Sequence, residues 1–537
     1  MKKHIVCILA LIFCYLSNAQ NSNQKTFEIS KNLDNYSSIL HIIDQLYVDS
    51  VNYTSLVQGS INYMLSELDP YTVYIPESKE EELKLMTSGE YGGIGALIMQ
   101  RGKEVIISEP YEGMPAQTAD LRCGDVLLEI DGKSLEGKNT SEVSNLLKGV
   151  PGTQLDLTIR RPGEKKNLKK TIVRKKIQLH PVPYFGVVDD NIGFIQLSEF
   201  TDKATIEFRQ ALDSLVKKNN ISSLIIDLRN NGGGLINEAC KIASLFVPKN
   251  TEIVSTKGKD DDQNFSYKTT LDPVYGTMPL VILTNGSSAS ASEILAGAFQ
   301  DLDRATIIGT KTFGKGLVQS VRELPGKGFL KFTIARYYTP SGRCVQAINY
   351  NNSSKNSSDS SKNVFYTKSG RMVLGGGGIT PDSIVSAPQK DINVSFHLYS
   401  QMLIFDFATN YARKHRQIAP IDVFSITEQD FKEFIAFVKE KNFTYKPECE
   451  ETINVLKEYA KMEGYEALIA DEIKSISDKL KPNIEKEMEE NKADIIDFIN
   501  FEIIKRYYFQ KGTIQYNLRN DKCVEKAIEV LKQEKQP

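Results

Sequence analysis

The sequence predicts a multidomain α+β chain, and three observations carry that prediction. The chain has 537 residues, enough at about 150 residues per domain for three or four domains. Its composition, 41% hydrophobic and 25% charged, is that of an ordinary globular protein. The period of its apolar residues changes along the chain: helical spacing, then short strand-like runs, then strands alternating with helices, then helical spacing again. The charge balance excludes some functions. Lys+Arg 66 against Asp+Glu 68 leaves a net charge of -2, which argues against a dedicated nucleic-acid binder and against a highly charged disordered chain. Five His and no Trp leave few imidazoles for a metal site or for acid–base chemistry.

Residues 1–19 predict a cleaved signal peptide. Lys2 and Lys3 precede an apolar stretch over 5–16, and Ser17 and Ala19 place small residues before Gln20. The apolar run is shorter than the roughly 18–20 residues a spanning helix needs. Cys14 could serve a lipoprotein signal, but the bulky Phe13 stands where a small residue is wanted. Export implies a periplasmic or cell-envelope location in a bacterium. Beyond the leader, Cys123, Cys240, Cys344, Cys449 and Cys523 are scattered and form no C-x-x-C pair, so neither a disulfide framework nor a zinc site is expected.

Each region has its own pattern. Residues 20–26 are polar and predict a disordered leader. Over 27–88, Ile39, Ile42, Ile43 and Leu46 share a helical face, as do Val57, Ile61, Met64 and Leu65. Leu68-Asp69-Pro70-Tyr71 punctuates this helical region. Over 89–177, strand-like runs at 105–108, 126–130 and 155–159 are separated by Asp131-Gly132, Pro151-Gly152 and Pro162-Gly163, with a short helix over 141–147. Over 178–390, strands at 192–197, 224–228, 280–284, 305–309 and 329–335 alternate with helices at 203–218, 237–246 and 292–300, predicting a sheet covered by helices. The Ser/Asn-rich stretch 351–362 predicts an exposed loop. Residues 391–537 predict a helical domain, with Leu456, Tyr459, Ile469, Ile473, Ile476 and Leu480 facing its core and Lys/Glu runs facing solvent.

Three Gly- or Ser-rich segments carry chemistry. Asp227-Leu228-Arg229-Asn230-Asn231-Gly232-Gly233-Gly234 follows a buried strand. Its glycines permit close approach of a ligand and can aim N–H groups at a negative oxygen, although a plain turn explains it equally well. It fits neither a Walker loop nor GxGxxG. Ser288-Ala289-Ser290-Ala291-Ser292-Glu293 stands at a strand-to-helix junction. S-x-x-E from Ser290 to Glu293 is a helix-capping pattern, and the same turn can hold a hydroxyl beside a positive helix N-terminus. Gly309-Thr310-Lys311-Thr312-Phe313-Gly314-Lys315-Gly316 resembles a P-loop in part, but Gly316 occupies the Ser/Thr position. By itself Lys315 reads as a surface lysine. Beside a Ser, a desolvated Lys can serve as a neutral general base. His41, His180, His397 and His415 all lie outside these segments, and His4 lies in the leader.

Together the Ser and Lys segments resemble the carboxyl-terminal processing peptidases, or tail-specific proteases, serine peptidases that carry a PDZ domain. The matching strings are 288–301 (SASASEILAGAFQD) and 309–320 (GTKTFGKGLVQS). The resemblance implies Ser290 as nucleophile, Lys315 as base and Gln319 as the residue orienting that base. It implies an oxyanion hole from the N–H of Ala291 with that of Gly232 or Gly233. Gly92-Gly93-Ile94-Gly95 resembles the PDZ carboxylate-binding loop, and Met114-Pro115-Ala116 and residues 121–125 fit the PDZ pattern. Tyr337-Tyr338-Thr339-Pro340-Ser341-Gly342-Arg343 and residues 375–381 resemble later parts of the family core. The implied fold is a PDZ β-barrel-like domain (89–177) inserted before a ClpP/crotonase-like α/β catalytic core (178–390), with helical N- and C-terminal regions (27–88 and 391–537). The resemblance covers roughly residues 40–390, so the helical tail stands outside it.

The expected function is an exported serine endopeptidase using a Ser-Lys dyad, with PDZ capture of substrate tails. Its partners would be proteins or peptides with free C-termini, and no nucleic acid. Peripheral membrane association and homo-oligomer formation stay open. No metal or organic cofactor is implied. Two other classes compete: an inactive PDZ scaffold, which predicts a missing dyad member, and a crotonase-like acyl-CoA enzyme, which export disfavours.

Overall fold

The computed structural model describes residues 2–348, 350, 364–386 and 392–533, with side chains from residue 24 onward except at 82. The Ser/Asn-rich stretch 351–362 lies outside the described residues. Met1–Tyr74 and Ile75–Pro537 form two compact units. The first unit consists mainly of helices Lys2–Leu46 and Tyr53–Ser66. Residues 20–26 lie within the first of these rather than in a disordered leader. Asn52 caps the second helix, its Oδ1 accepting the Ser55 N–H at 3.1 Å. The turn after it is fixed by Asp69, whose Oδ1 accepts N–H groups of Tyr71 and Thr72 at 2.8 and 2.9 Å. No helix among the described residues is long and apolar enough to cross a membrane.

The second unit begins with a β-rich domain. Its antiparallel sheet runs in the order Ala96–Arg101, Glu104–Pro110, Val126–Ile130, Gln154–Arg160, Leu168–Val173. Alternation along these strands sends Val105, Ile107, Leu127, Leu157 and Ile159 inward. Helix Thr140–Leu147 closes the core with Val143 and Leu147. Asn139 and Glu142 cap that helix reciprocally, each side chain accepting the other's N–H at 3.0 and 2.9 Å. Strand Ala96–Arg101 is an edge of the sheet, and helix Thr140–Leu147 packs beside it.

The α/β core is a six-stranded sheet. Tyr184–Asp189 pairs antiparallel with Ile192–Gln196. Then Ile192–Gln196, Ser223–Asp227, Leu280–Thr284, Thr306–Gly309 and Ser383–Ile384 follow in parallel. Its strands are apolar on both faces, as a parallel sheet covered on both sides requires. One face packs on helices Ala204–Asn219, Ile236–Ala243 and Ala291–Asp301 through residues such as Phe208, Leu212, Ile242, Leu295 and Phe299. The other face exposes Phe194, Ile225, Val281, Leu283 and Ile308, which are covered by Cys523, Val524, Ala527 and Leu531 of the final helix, Lys522–Gln533. The end of the chain is therefore a layer of the core, not merely part of a separate tail. The hairpin Leu317–Glu323 with Phe329–Tyr338 belongs to a second sheet and follows the Lys315 segment.

The rest of the C-terminal region is helical, as expected, but its core differs from the expected one. Leu456, Tyr459 and Ile476 are each about half exposed, while Ile473 is buried and Ile469 and Leu480 are partly buried. The core is built instead by Ile404, Phe431, Phe434, Ile495, Ile499 and Ile503. Periodicity identified the helical faces but not which helices lie at the centre. The β-rich domain rests on this region through Ile106, Cys123, Val126 and Phe405. Arg101 Nη1 also donates to Asp406 Oδ1 at 2.9 Å.

Candidate active site

The three Gly- or Ser-rich segments converge because they leave the C-terminal ends of three neighbouring parallel strands. Asp227 pairs with Leu283, and Thr284 pairs with Gly309. Loops at that end of an α/β sheet form its usual ligand crevice. The resulting site has three parts: the glycine loop after Asp227, the turn at Ser290, and the loop ending in Lys315.

Ser290 caps helix Ala291–Asp301 with φ 56° and ψ -115°. This conformation costs a non-glycine residue about 1–3 kcal/mol and turns the residue sharply out of the preceding loop. It is tolerated because the surroundings are small. Ala289 and Ala291 flank Ser290, and Gly233 lies against it. A Cβ on Gly233 would sit 2.7 Å from Ser290 Cβ, 2.7 Å from Ala289 O and 2.9 Å from Ala291 N. The glycine loop and the first helical N–H are therefore neighbours. Gly233 also has φ +104°, a second reason for glycine there. Gly233→Ala is expected to lower kcat by ten- to a hundred-fold and to reduce thermal stability. Peptide turnover and a melting curve would check this, and wild-type values for both would contradict the close approach.

Asn231 holds the glycine loop in place. Its Nδ2 donates to Leu197 O at 2.7 Å and its Oδ1 accepts the Gly233 N–H at 2.9 Å. Its carbonyl accepts the Ala289 N–H at 3.0 Å and the Ser292 hydroxyl at 2.9 Å. Gly232 is exposed, with open space where a Cβ would lie. Ala291 is the first residue of its helix, where an N–H has no partner within the helix.

Two buried groups tie Ser290 to Lys315. The first is the Glu293 carboxylate, which is fully buried. Its Oε2 accepts the N–H of Ser290 at 2.9 Å and that of Lys315 at 2.8 Å. Its Oε1 accepts the Thr312 hydroxyl at 2.6 Å and the Gly314 N–H at 2.8 Å. Burial pushes the carboxyl up from its ordinary range, and the four hydrogen bonds oppose that shift. The second group is the Tyr337 hydroxyl, 2.7 Å from Lys315 O and 3.1 Å from Ser290 O. Burial first, and then the Glu293 charge, hold its phenol well above the usual value, so it stays a donor. Nucleophile and base candidates thus share an acceptor for their N–H groups and a donor for their carbonyls.

The loop ending in Lys315 is pinned at further points. Phe313 N–H donates to Ser288 O at 3.0 Å, and Ile379 N–H donates to the Thr312 hydroxyl at 2.6 Å. The second bond explains the segment 375–381, which packs beneath this loop. Arg343 closes the far end of helix Ala291–Asp301, bonding Asp301 at 2.6 Å and Gln300 at 2.8 Å, with the Arg343 and Asp301 side chains both buried. Lys315 is half-buried. Gln319 lies on strand Leu317–Glu323, and its Nε2 donates to Thr333 Oγ1 at 3.4 Å.

Gly92, Gly93, Ile94 and Gly95 lie apart from this site, in the β-rich domain: Gly92 and Gly93 end strand Glu90–Gly93, and Ile94 and Gly95 join it to the edge strand Ala96–Arg101. All four are buried. Their carbonyls are fixed inward: Gly92 O accepts from Gly149, Ile94 O from Ala116 and Gly95 O from Tyr111. The expected carboxylate loop leads into a strand that, among the described residues, is paired on one side only, with helix Thr140–Leu147 beside it.

Sequence reasoning missed three contributors. Glu293 was legible only as a helix cap, Asn231 only as a loop residue, and Tyr337 only as part of a strand end. The signal for Glu293 was a charge immediately before the apolar run Ile294 to Phe299. Nothing local marked Tyr337, which acts from 22 residues beyond Lys315.

Comparison with known families agrees with this architecture. Residues 191–352 match peptidase family S41, and residues 106–161 match a PDZ domain. Residues 15–79 match the activating protease CtpB N-terminal domain, and residues 394–531 match the C-terminal helical domain of a probable PDZ-protease. The chain is 36% identical over 342 residues to the carboxy-terminal-processing protease of Bartonella bacilliformis, covering 63% of this chain and 77% of that one. It is 33% identical over 351 residues to a probable CtpA-like serine protease of Staphylococcus aureus, covering 64% and 67%. Among solved structures, a photosystem II D1 C-terminal processing protease is 28% identical, covers 63% of this chain and 84% of its own, and has a TM-score of 0.37.

Proposed function

The chain belongs to peptidase family S41, and from that premise we propose that it is an exported serine endopeptidase that cuts protein substrates near their C-termini. The observation that carries this reading is the double tether of Ser290 to Lys315 through Glu293 and Tyr337. Such a tether fits a nucleophile and base that must keep one geometry through a reaction.

In this mechanism neutral Lys315 takes the proton from the Ser290 hydroxyl as its oxygen attacks the scissile carbonyl. The oxyanion forms against the Ala291 N–H at the helix N-terminus and against a glycine-loop N–H. Gly232 suits the second role better than Gly233, whose N–H already bonds Asn231. Protonated Lys315 then gives its proton to the leaving amine, and the new C-terminal piece departs. Water, deprotonated by Lys315, attacks the acyl-Ser290 ester, releasing the acid and restoring Ser290. Gln319 is proposed to orient the Lys315 side chain, from the family pattern. Gly92–Gly95 and the edge strand Ala96–Arg101 are proposed to hold the substrate's terminal carboxylate and pair with its last residues. Export is proposed to follow from residues 1–19.

The test compares peptides of one sequence that end in a free carboxylate or an amide. The free acid is expected to be cut with at least a ten-fold higher kcat/KM, the products being identified by mass spectrometry. Equal rates would remove tail capture from the proposal. No cleavage of either peptide, or of unfolded protein, would remove the peptidase.

A further inference from the structure

Arg229, two residues beyond the strand Ser223–Asp227, is gripped from both ends of the core. On one side stands Asp227, whose Oδ1 accepts Arg229 Nε at 2.9 Å and whose Oδ2 accepts Nη2 at 2.7 Å. On the other side, Asp521 Oδ2 lies 2.7 Å from the same Nη2. Asp521 comes from the distant end of the chain. Its remaining oxygen caps the final helix, accepting the N–H groups of Cys523 at 2.9 Å and Val524 at 3.2 Å. One carboxylate thus starts the helix that covers the outer face of the sheet and also holds the root of the glycine loop.

The connection runs on from Arg229 to the nucleophile. Asn230, the next residue, donates its N–H to Asn285 Oδ1 at 3.0 Å and accepts from Asn285 Nδ2 at 2.9 Å. Asn231 then bonds the turn at Ala289 and Ser292. Arg229 is the only charged residue between Asp227 and Gly234, so its position fixes where this loop leaves the strand. Asp227 alone gives the guanidinium one planar partner. A second carboxylate on the same nitrogen restricts pivoting about that pair.

We propose that Asp521 is a positioning residue of the peptidase site, acting through Arg229 to set the glycine loop for the oxyanion. The proposal rests on the peptidase reading above. It makes the C-terminal helix part of the catalytic apparatus rather than an appended tail.

The test uses the full chain carrying Asp521→Asn. Asn retains the oxygen that caps the helix but removes the charged bond to Arg229. The expected result is a fall in kcat of about ten-fold, with KM within two-fold and the melting temperature nearly unchanged. Inhibition by a peptide aldehyde, whose hemiacetal oxygen occupies the oxyanion position, should weaken by a similar factor. Inhibition by the matching alcohol should not change. Arg229→Lys should give a similar loss, and the double variant should be no worse than either single one. Hydrogen exchange at residues 230–234 should quicken in Asp521→Asn, while exchange in the final helix stays at its wild-type rate. Wild-type kcat, aldehyde inhibition and exchange in Asp521→Asn would overturn the proposal. So would an equal loss in Asp521→Asn and Asp521→Ala accompanied by melting of the final helix. The exchange measurement needs no turnover, so it reports on the clamp even if the wild-type chain cuts no peptide and the peptidase reading falls.

Discussion

Purified Ser290→Ala protein is expected to lose peptide hydrolysis by roughly four orders of magnitude or more, while still binding a peptide that ends in a free carboxylate. The two halves of that result test different parts of the molecule. Hydrolysis is assigned to the hydroxyl at the start of helix Ala291–Asp301, and binding to the β-rich domain, whose edge strand and glycine loop contain no part of that turn. Lys315→Ala should cost a comparable factor, because the hydroxyl then has no base; the histidines stand outside the three site segments. Groups that act as one unit do not add their losses. The double variant Ser290→Ala/Lys315→Ala should therefore be no slower than the worse single variant. Single-turnover kinetics and peptide binding by fluorescence anisotropy would measure both. Residual cleavage near the wild-type rate in Ser290→Ala would assign the chemistry to another residue. Additive losses in the double variant would mean that Ser290 and Lys315 act in separate steps.

Much of this site was legible because its parts are local. Each of the three segments is a short string of Gly, Ser or Lys after an apolar run, and a buried strand followed by small residues is readable from one sequence. Their convergence was not readable. It depends on the strands at 223–227, 280–284 and 306–309 being neighbours and parallel, a fact of sheet order. The same limit hid Tyr337 and Asp521, which reach the site from sequence-distant elements. It also explains the misread helical tail. Leu456 and Tyr459 occur at helical spacing, but burial depends on which helices surround them, and the long helix Lys492–Asn517 takes the centre instead. The choice between Gly232 and Gly233 could not be made from two adjacent glycines. The Asn231 side chain already accepts the Gly233 N–H, which is why Gly232 is the one proposed for the oxyanion.

Glu293→Gln should be nearly as damaging as loss of the dyad, with kcat reduced by about a thousand-fold and the protein less stable. The reason is the direction of the four hydrogen bonds. Every partner is a donor: the N–H groups of Ser290, Gly314 and Lys315, and the hydroxyl of Thr312, which itself accepts from Ile379. An ionised carboxylate satisfies all four, because it is acceptor-only. Glutamine offers one oxygen and one NH2. With the NH2 at the Oε2 position, the Ser290 and Lys315 N–H groups face another donor and the shared acceptor is gone. With the NH2 at Oε1, Gly314 and Thr312 lose theirs. Each buried group left unpaired costs about 1–3 kcal/mol, a large part of the roughly 5–15 kcal/mol that holds a domain folded. Glu293→Asp keeps the charge one methylene short, so it should lose less activity than Glu293→Gln despite the smaller side chain. That ordering separates charge from volume. Stability against pH gives an independent reading. Burial raises the carboxyl's pKa in the folded chain, so the folded state binds more protons, and this group's contribution to stability falls as pH rises from the unfolded value through the folded one. Over that interval the melting temperature of the wild type should therefore fall relative to that of Glu293→Gln as pH rises. Parallel slopes, or Glu293→Gln proving more active than Glu293→Asp, would show that the carboxylate does not organise the nucleophile and base.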